Sequence, residues 1–248
     1  MLSQPSTARK ARLGIKVAIG DGADHPDYLR APNNICSPDL RNQSSKCSEA
    51  NGHTKSIEGH HAAVSALVLN DAVPENVRIQ FETTKNLYLY AWFVYRFYPV
   101  SVLHAHTCLE LALRARFGDE FPSSKPGPGL HRLLKHAVEK GALKNENFEV
   151  WCRTTALRAS NRALHEQFEK MEKLGLNELE FDETNVTITD EDRDHDYVGT
   201  VLENIPKIRN HYAHGSSTLH NQVIGTLRIV QEIINQLWPA SPEGAHTV

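Results

Sequence analysis

No two cysteines in this chain share a C-x-x-C spacing. The four, Cys36, Cys47, Cys108 and Cys152, lie far apart, which excludes a zinc-finger ligand set and a dense disulfide framework. There is no HExxH, although the chain holds fourteen histidines; the close pair His104 and His106 is not an i,i+4 couple on one helix face. No metal site and no other cofactor is therefore expected. The loop FPSSKPGPG, Phe121 to Gly129, has glycine and lysine in the wrong order for a phosphate-cradling GxxxxGK[ST]. Carboxylates are plentiful between Asn177 and Asp196, yet they lack the spacing of an EF-hand.

Two further absences concern charge and apolar length. The formal net charge is −3, so the chain has no global basic footprint for nucleic acid, and any RNA contact must be local. The most apolar run, LYLYAWFVYRFYPVSVL from Leu87 to Leu103, is interrupted by Arg96 and Pro99. It falls short of the ~20 apolar residues of a membrane span. The first residues, MLSQPSTARKARLGIK, lack the apolar core of a secretory signal; being basic and acid-free until Asp21 they faintly suggest a transit peptide, and read better as a solvated tail. The expectation is a reduced, cytoplasmic protein with no membrane contact.

What is present is the composition of a soluble globular protein, 248 residues with 40% hydrophobic and 23% charged side chains. Residues 1–72 show no sustained period and are rich in Gly, Pro, Asn and Ser, which reads as a polar region of low order; only His60 to Leu69 suggests a short helix or strand. Residues 73–240 read as an all-α domain, and 241–248 as a tail. Within it, Pro74 to Val100 carries Phe81, Tyr88, Trp92 and Tyr95 on one helical stripe and Leu89, Phe93 and Phe97 on another. A segment apolar on most sides needs cover from two directions, either two helices or one helix and a second protomer. Pro99 is expected to kink or restart this helix, which continues to Gly118.

A short helix follows from Leu130 to near Gly141, then a long helix or two from Asn145 to near Gly175. The acidic stretch 177–196 reads as a solvated insert in which NVTIT, Asn185 to Thr189, can form a brief hairpin arm. Two helices close the chain. The first carries Val198, Val201, Leu202, Ile205, Ile208 and Tyr212 at helical spacing; the second is capped by Ser216 or Ser217, has a stripe from Leu219 to Leu237, and stops at Pro239.

The chemistry concentrates at the first of these helices, in PKIRNHYAHGSS, residues 206 to 217. Gly215 sits where a left-handed cap belongs, which puts His214 in the last turn. Asn210 and His214 are i,i+4 neighbours on one face, and Arg209 starts ~140° from His214 with an arm long enough to bend round. The three together can surround a small anion. A helix C-terminus favours a protonated imidazole while Arg209 disfavours it, opposing effects that suit His214 to acid–base work. Such groups suit attack of a ribose 2′-OH on the adjacent phosphate without a metal. One histidine serves both proton transfers poorly, so two copies meeting on a two-fold axis would do better. The structural alternative is that Arg209, Asn210 and His214 only satisfy the last carbonyls and stop the helix.

The segment RNHYAH, Arg209 to His214, resembles the Arg-x4-6-His motif of the HEPN (higher eukaryotes and prokaryotes nucleotide-binding) superfamily. IPKIRNHYAHG, CLELALRARFG (Cys108 to Gly118) and EIINQLWP (Glu232 to Pro239) are similar to a group of bacterial HEPN-like proteins. The resemblance covers roughly residues 75–239. It implies an antiparallel helical bundle, usually dimeric, acting as a metal-independent endoribonuclease in toxin–antitoxin systems, phage defence or RNA processing, with an antitoxin or defence partner protein. Carried over, Arg209 would bind phosphate, Asn210 would position groups and His214 would be general acid or base. Glu110 is a candidate assistant, with a pairing to Arg114 four residues on as the structural alternative. Members inactivated by nucleotidyltransferase partners carry tyrosine two residues after the histidine; here that position is Ser216. The alternative within the family is an inactive module that binds RNA, nucleotide or protein.

Overall fold

In the computed structural model, residues 25–43, 56–122, 127–178, 180–215 and 217–240 are described. Among them all regular structure is helical and no strand occurs. The elements are α1 (Leu40–Gln43), α2 (Ile57–Ser65), α3 (Glu75–Tyr90), α4 (Phe97–Phe117), α5 (Leu130–Glu139), α6 (Glu149–Leu174), α7 (Asp190–Arg193), α8 (Tyr197–Ala213) and α9 (Ile224–Leu237). Short 3-10 turns join several of them. The all-α helical bundle read from the periodicity is the fold observed.

At its centre is α4. Tyr98, Val102, Ala105, Cys108, Leu109, Ala112, Leu113 and Phe117 are buried, and α3, α5, α8 and α9 all pack against it. A helix apolar around its circumference must be enclosed by others. Full burial of side chains such as Leu109 and Leu113 stabilises the fold by ~1.5–3 kcal/mol each. The surrounding helices bring amphipathic faces: Leu130, Leu133, Leu134 and Ala137 from α5, Val198, Val201 and Ile205 from α8, and Leu227, Val230, Ile233, Ile234 and Leu237 from α9.

Of the two outcomes expected near Pro99, a kink or a restart, the structure shows the restart: α3 ends at Tyr90, residues 91–96 form turns, and α4 starts at Phe97, so Pro99 lies in the first turn of a new helix, where a missing N–H costs no hydrogen bond. Phe81, Tyr88 and Trp92 are covered within the chain rather than by a second protomer. Part of that cover comes from the region expected to have low order. His60 of α2 stacks on Tyr88 with ring centroids 4.2 Å apart and bonds its carbonyl through Nε2 at 2.8 Å. Asn42 donates to the carbonyls of Ala91 and Trp92, at 3.1 and 3.0 Å, satisfying acceptors freed where α3 stops. Arg41 holds Asp39 and Asp27, each at 2.8 Å, and Arg96 holds Asp27 at 2.7 Å. Segments 25–43 and 56–72 are thus tied to the bundle; the rest of the first 72 residues, Cys47 included, and the tail 241–248 lie outside the described residues.

The acidic insert also departs from a purely solvated loop. No hairpin forms at Asn185 to Thr189; the chain makes a 3-10 turn and then α7. Asp192 is buried, accepts from the Thr189 amide and hydroxyl in a capping box, and pairs with Arg162 of α6 at 3.0 Å. Those donors hold its carboxyl well below the usual range. Of the caps expected for the last helix, Ser216 lies outside the described residues and Ser217 is in the preceding loop; α9 starts later, at Ile224.

Candidate functional site

α8 is N-capped by Asp196, whose Oδ1 accepts from the Gly199 amide at 2.8 Å, and is followed by Gly215, whose φ of +81° lies in the left-handed region that favours glycine. His214 is the residue that caps the helix, at φ −89° and ψ 14°. Its amide still donates to the Asn210 carbonyl at 3.1 Å, so His214 stays one turn above Asn210, as their spacing predicts.

Those two residues line an open cleft of about 500 Å³ together with Lys207, His211, Gly215, Ser217 and Thr218. Lys207, Asn210, His211 and His214 stand at i, i+3, i+4 and i+7, which is one face of a helix. All four are exposed, and among the described residues no carboxylate lines the cleft. Lys207 is held from one turn back by Glu203 at 2.5 Å, an exposed pair that an incoming anion can exchange at little cost. His211 contacts the Thr218 hydroxyl at 3.3 Å and packs edge-on to the Tyr212 ring. A second groove shares Lys207 and His211 and adds Ile208, Tyr212, His220 and Thr226; there the Tyr212 hydroxyl meets His220 Nε2 at 2.8 Å. Sequence reasoning passed over Lys207 and His211, though their spacing from His214 was available as a signal.

Arg209 sits differently from the expected convergence on His214. It does not line the cleft but turns to α4, where Glu110 Oε2 lies 3.9 Å from its Nη2. Glu110 also takes Arg114 at 2.5 Å, the structural pairing expected four residues on, so one carboxylate lies between two guanidinium groups. The physical reason is the packing of α8 on α4, which offers Arg209 a half-buried anion on its own side of the helix. Asn210 joins the two surfaces: its Oδ1 accepts from Arg209 Nη1 at 3.3 Å while the residue lines the cleft.

Beneath this pair lies a residue with no assigned role in the motif. His106, one turn before Glu110 on α4, is fully buried, and neither ring nitrogen has a hydrogen-bond partner among the described residues. Burial first, and the Arg209 charge second, push its pKa down to about 4. Near neutral pH it is an uncharged imidazole under a guanidinium.

Among the described residues no group of three or more His, Cys, Asp or Glu is arranged to hold a metal ion, and no helix is long and apolar enough to cross a membrane. Cys36, Cys108 and Cys152 are free thiols. No family model, curated protein or solved structure matches the chain.

Proposed function

We propose that the end of α8 cleaves RNA by metal-independent transesterification, as expected of a HEPN-type endoribonuclease. The supporting observation is the set of two imidazoles, an ammonium and an amide on one open cleft, His211, His214, Lys207 and Asn210. One histidine takes the 2′-hydroxyl proton as O2′ bonds to phosphorus. The P–O5′ bond breaks, and the other histidine delivers a proton to the departing 5′-oxygen. The products are a 2′,3′-cyclic phosphate and a 5′-hydroxyl. Lys207 faces the charge on the phosphorane, and Arg209, reached through Asn210, receives a flanking phosphate at the cleft edge. Because His211 joins His214, both proton transfers fit within one chain, and a second protomer is not required for them. A toxin or phage-defence role, with a protein partner that restrains the activity, accompanies this reading.

The test is incubation of an oligoribonucleotide with the full chain in EDTA. Cleavage leaving cyclic phosphate ends is expected, blocked by a 2′-deoxy residue at the scissile position and lost in His214→Ala and in His211→Ala. A folded wild type that leaves RNA intact overturns it. The Arg209–Glu110 contact favours a second reading, RNA or nucleotide binding without cleavage, because it withholds the guanidinium from the cleft. That reading expects affinity lost in Arg209→Ala and no product in any variant.

A further inference from the structure

The cleft at the end of α8 has a neighbour on the same helix. With Lys207 set at zero, Asn210 and His214 lie about 60° and about 20° to one side of it. His211, Ile208 and Tyr212 lie about 40°, about 100° and about 140° to the other. Lys207 and His211, common to both openings, therefore form a ridge between the cleft and the second groove. That groove also holds about 500 Å³, and Thr226 of α9 and His220 of the loop before it close its far side. Its chemistry differs from that of the cleft. Ile208, 37% exposed, and the Tyr212 ring, half-buried against the core, make an apolar wall. The Tyr212 hydroxyl and His220 Nε2, 2.8 Å apart, make a polar end, to which Thr226 adds a hydroxyl. Burial raises the Tyr212 phenol above its ordinary value, so near neutral pH it keeps the proton it shares with His220. Among the described residues no carboxylate lines this groove either.

We infer that this groove is a subsite for one nucleobase of a single-stranded RNA whose phosphate lies in the cleft, with Tyr212 as the residue it stacks on. A base has apolar faces and an edge of donors and acceptors, which an apolar wall with a polar end complements. Continuity with the cleft favours this occupant over an unrelated apolar ligand. The α8 residues of the two openings point about 80° apart round a helix about 11 Å across, so the openings are roughly 7 Å apart. That is the reach of one nucleotide from its phosphate to its base. The ridge agrees in charge, because Lys207 stands where the sugar–phosphate chain must cross from one opening to the other. The inference rests on the cleft being a phosphodiester site, and it holds whether that site cleaves RNA or only binds it.

Binding of the dinucleotide ApA to the full chain, followed by calorimetry, tests it. A 2′-deoxy group on the 5′ residue blocks cleavage, and the single phosphate leaves no freedom of register. Replacing one of the two bases by hydrogen should raise the Kd about tenfold, and replacing the other should change it little. Tyr212→Leu, with its helical circular dichroism checked, should raise the Kd of the intact dinucleotide by a similar factor and abolish the difference between the two abasic probes. Tyr212→Phe keeps the ring and should keep that difference. No binding at millimolar dinucleotide, equal Kd values for the two abasic probes, or a difference that survives Tyr212→Leu overturns the subsite. Uncleavable probes keep the two questions apart: base-dependent binding with intact ribo-ApA in EDTA removes the nuclease reading alone, and cleavage with no base dependence removes the subsite alone.

Discussion

Acid should destabilise this fold through one buried imidazole. A histidine in the unfolded chain titrates near its ordinary value of 6.5, whereas His106 in the fold titrates at about 4. As pH falls from 6.5 toward 4 the unfolded state takes up the proton first, so stability present above 6.5 is progressively lost and does not return below 4. At about 1.4 kcal/mol per pH unit of separation the full loss is about 3 kcal/mol, and about 2 kcal/mol of it is gone at pH 5. Other groups titrate in the same range, so the wild type is compared with His106→Leu by urea unfolding. The variant also removes two unpartnered buried nitrogens, a gain of ~1–3 kcal/mol near neutrality less any misfit of shape. The expected signature is a leucine advantage that widens by about 2 kcal/mol between about pH 7.5 and about pH 5. Parallel curves would refute the reasoning, because they would mean that His106 protonates as easily in the fold as out of it.

Glu110→Gln removes the carboxylate that draws Arg209 toward α4. On the RNA reading it should tighten binding of a short oligoribonucleotide about fivefold in fluorescence anisotropy, and unchanged affinity would show that Arg209 is not a phosphate ligand. Asp192→Ala breaks the capping box and the Arg162 pair that pin α7 to α6; it should lower the melting temperature by circular dichroism, and an unaltered transition counts against that anchoring role. Gly199→Ala puts a methyl group onto the Asp196 carboxylate that caps α8, so it should cost about 1 kcal/mol in urea unfolding, close to the loss from Asp196→Ala.

Several features were legible because they depend on neighbours along the chain. The stops at Gly141, Gly175 and Gly215 need only a backbone that turns left-handed, and all three glycines have φ between +62° and +81°. The i,i+4 placement of Asn210 and His214 follows from helix geometry alone, and the same rule already joined Lys207 and His211 to them. Of the two apolar stripes, Phe81, Tyr88 and Trp92 are buried while Leu89, Phe93 and Phe97 stay half-buried, and nothing in the period says who supplies the cover. That depended on His60, in a stretch legible only as a short helix or strand, and on Asn42, where there is no period to read because single polar contacts order the chain.

The sequence by itself determined the helical character of the described residues, the glycine stops of three helices, and a helix terminus carrying arginine, asparagine and histidine. Hydrogen bonding between near neighbours and the 3.6-residue repeat are local physics, and local physics can be read in one dimension. Only the tertiary structure decided that Arg209 faces Glu110 while His214 shares a cleft with Lys207 and His211, and that His106 lies uncharged beneath the guanidinium. A side chain turns toward whatever charge or hydrocarbon the packing of distant helices sets beside it, and that neighbour is not fixed until α4, α8 and α9 have come together.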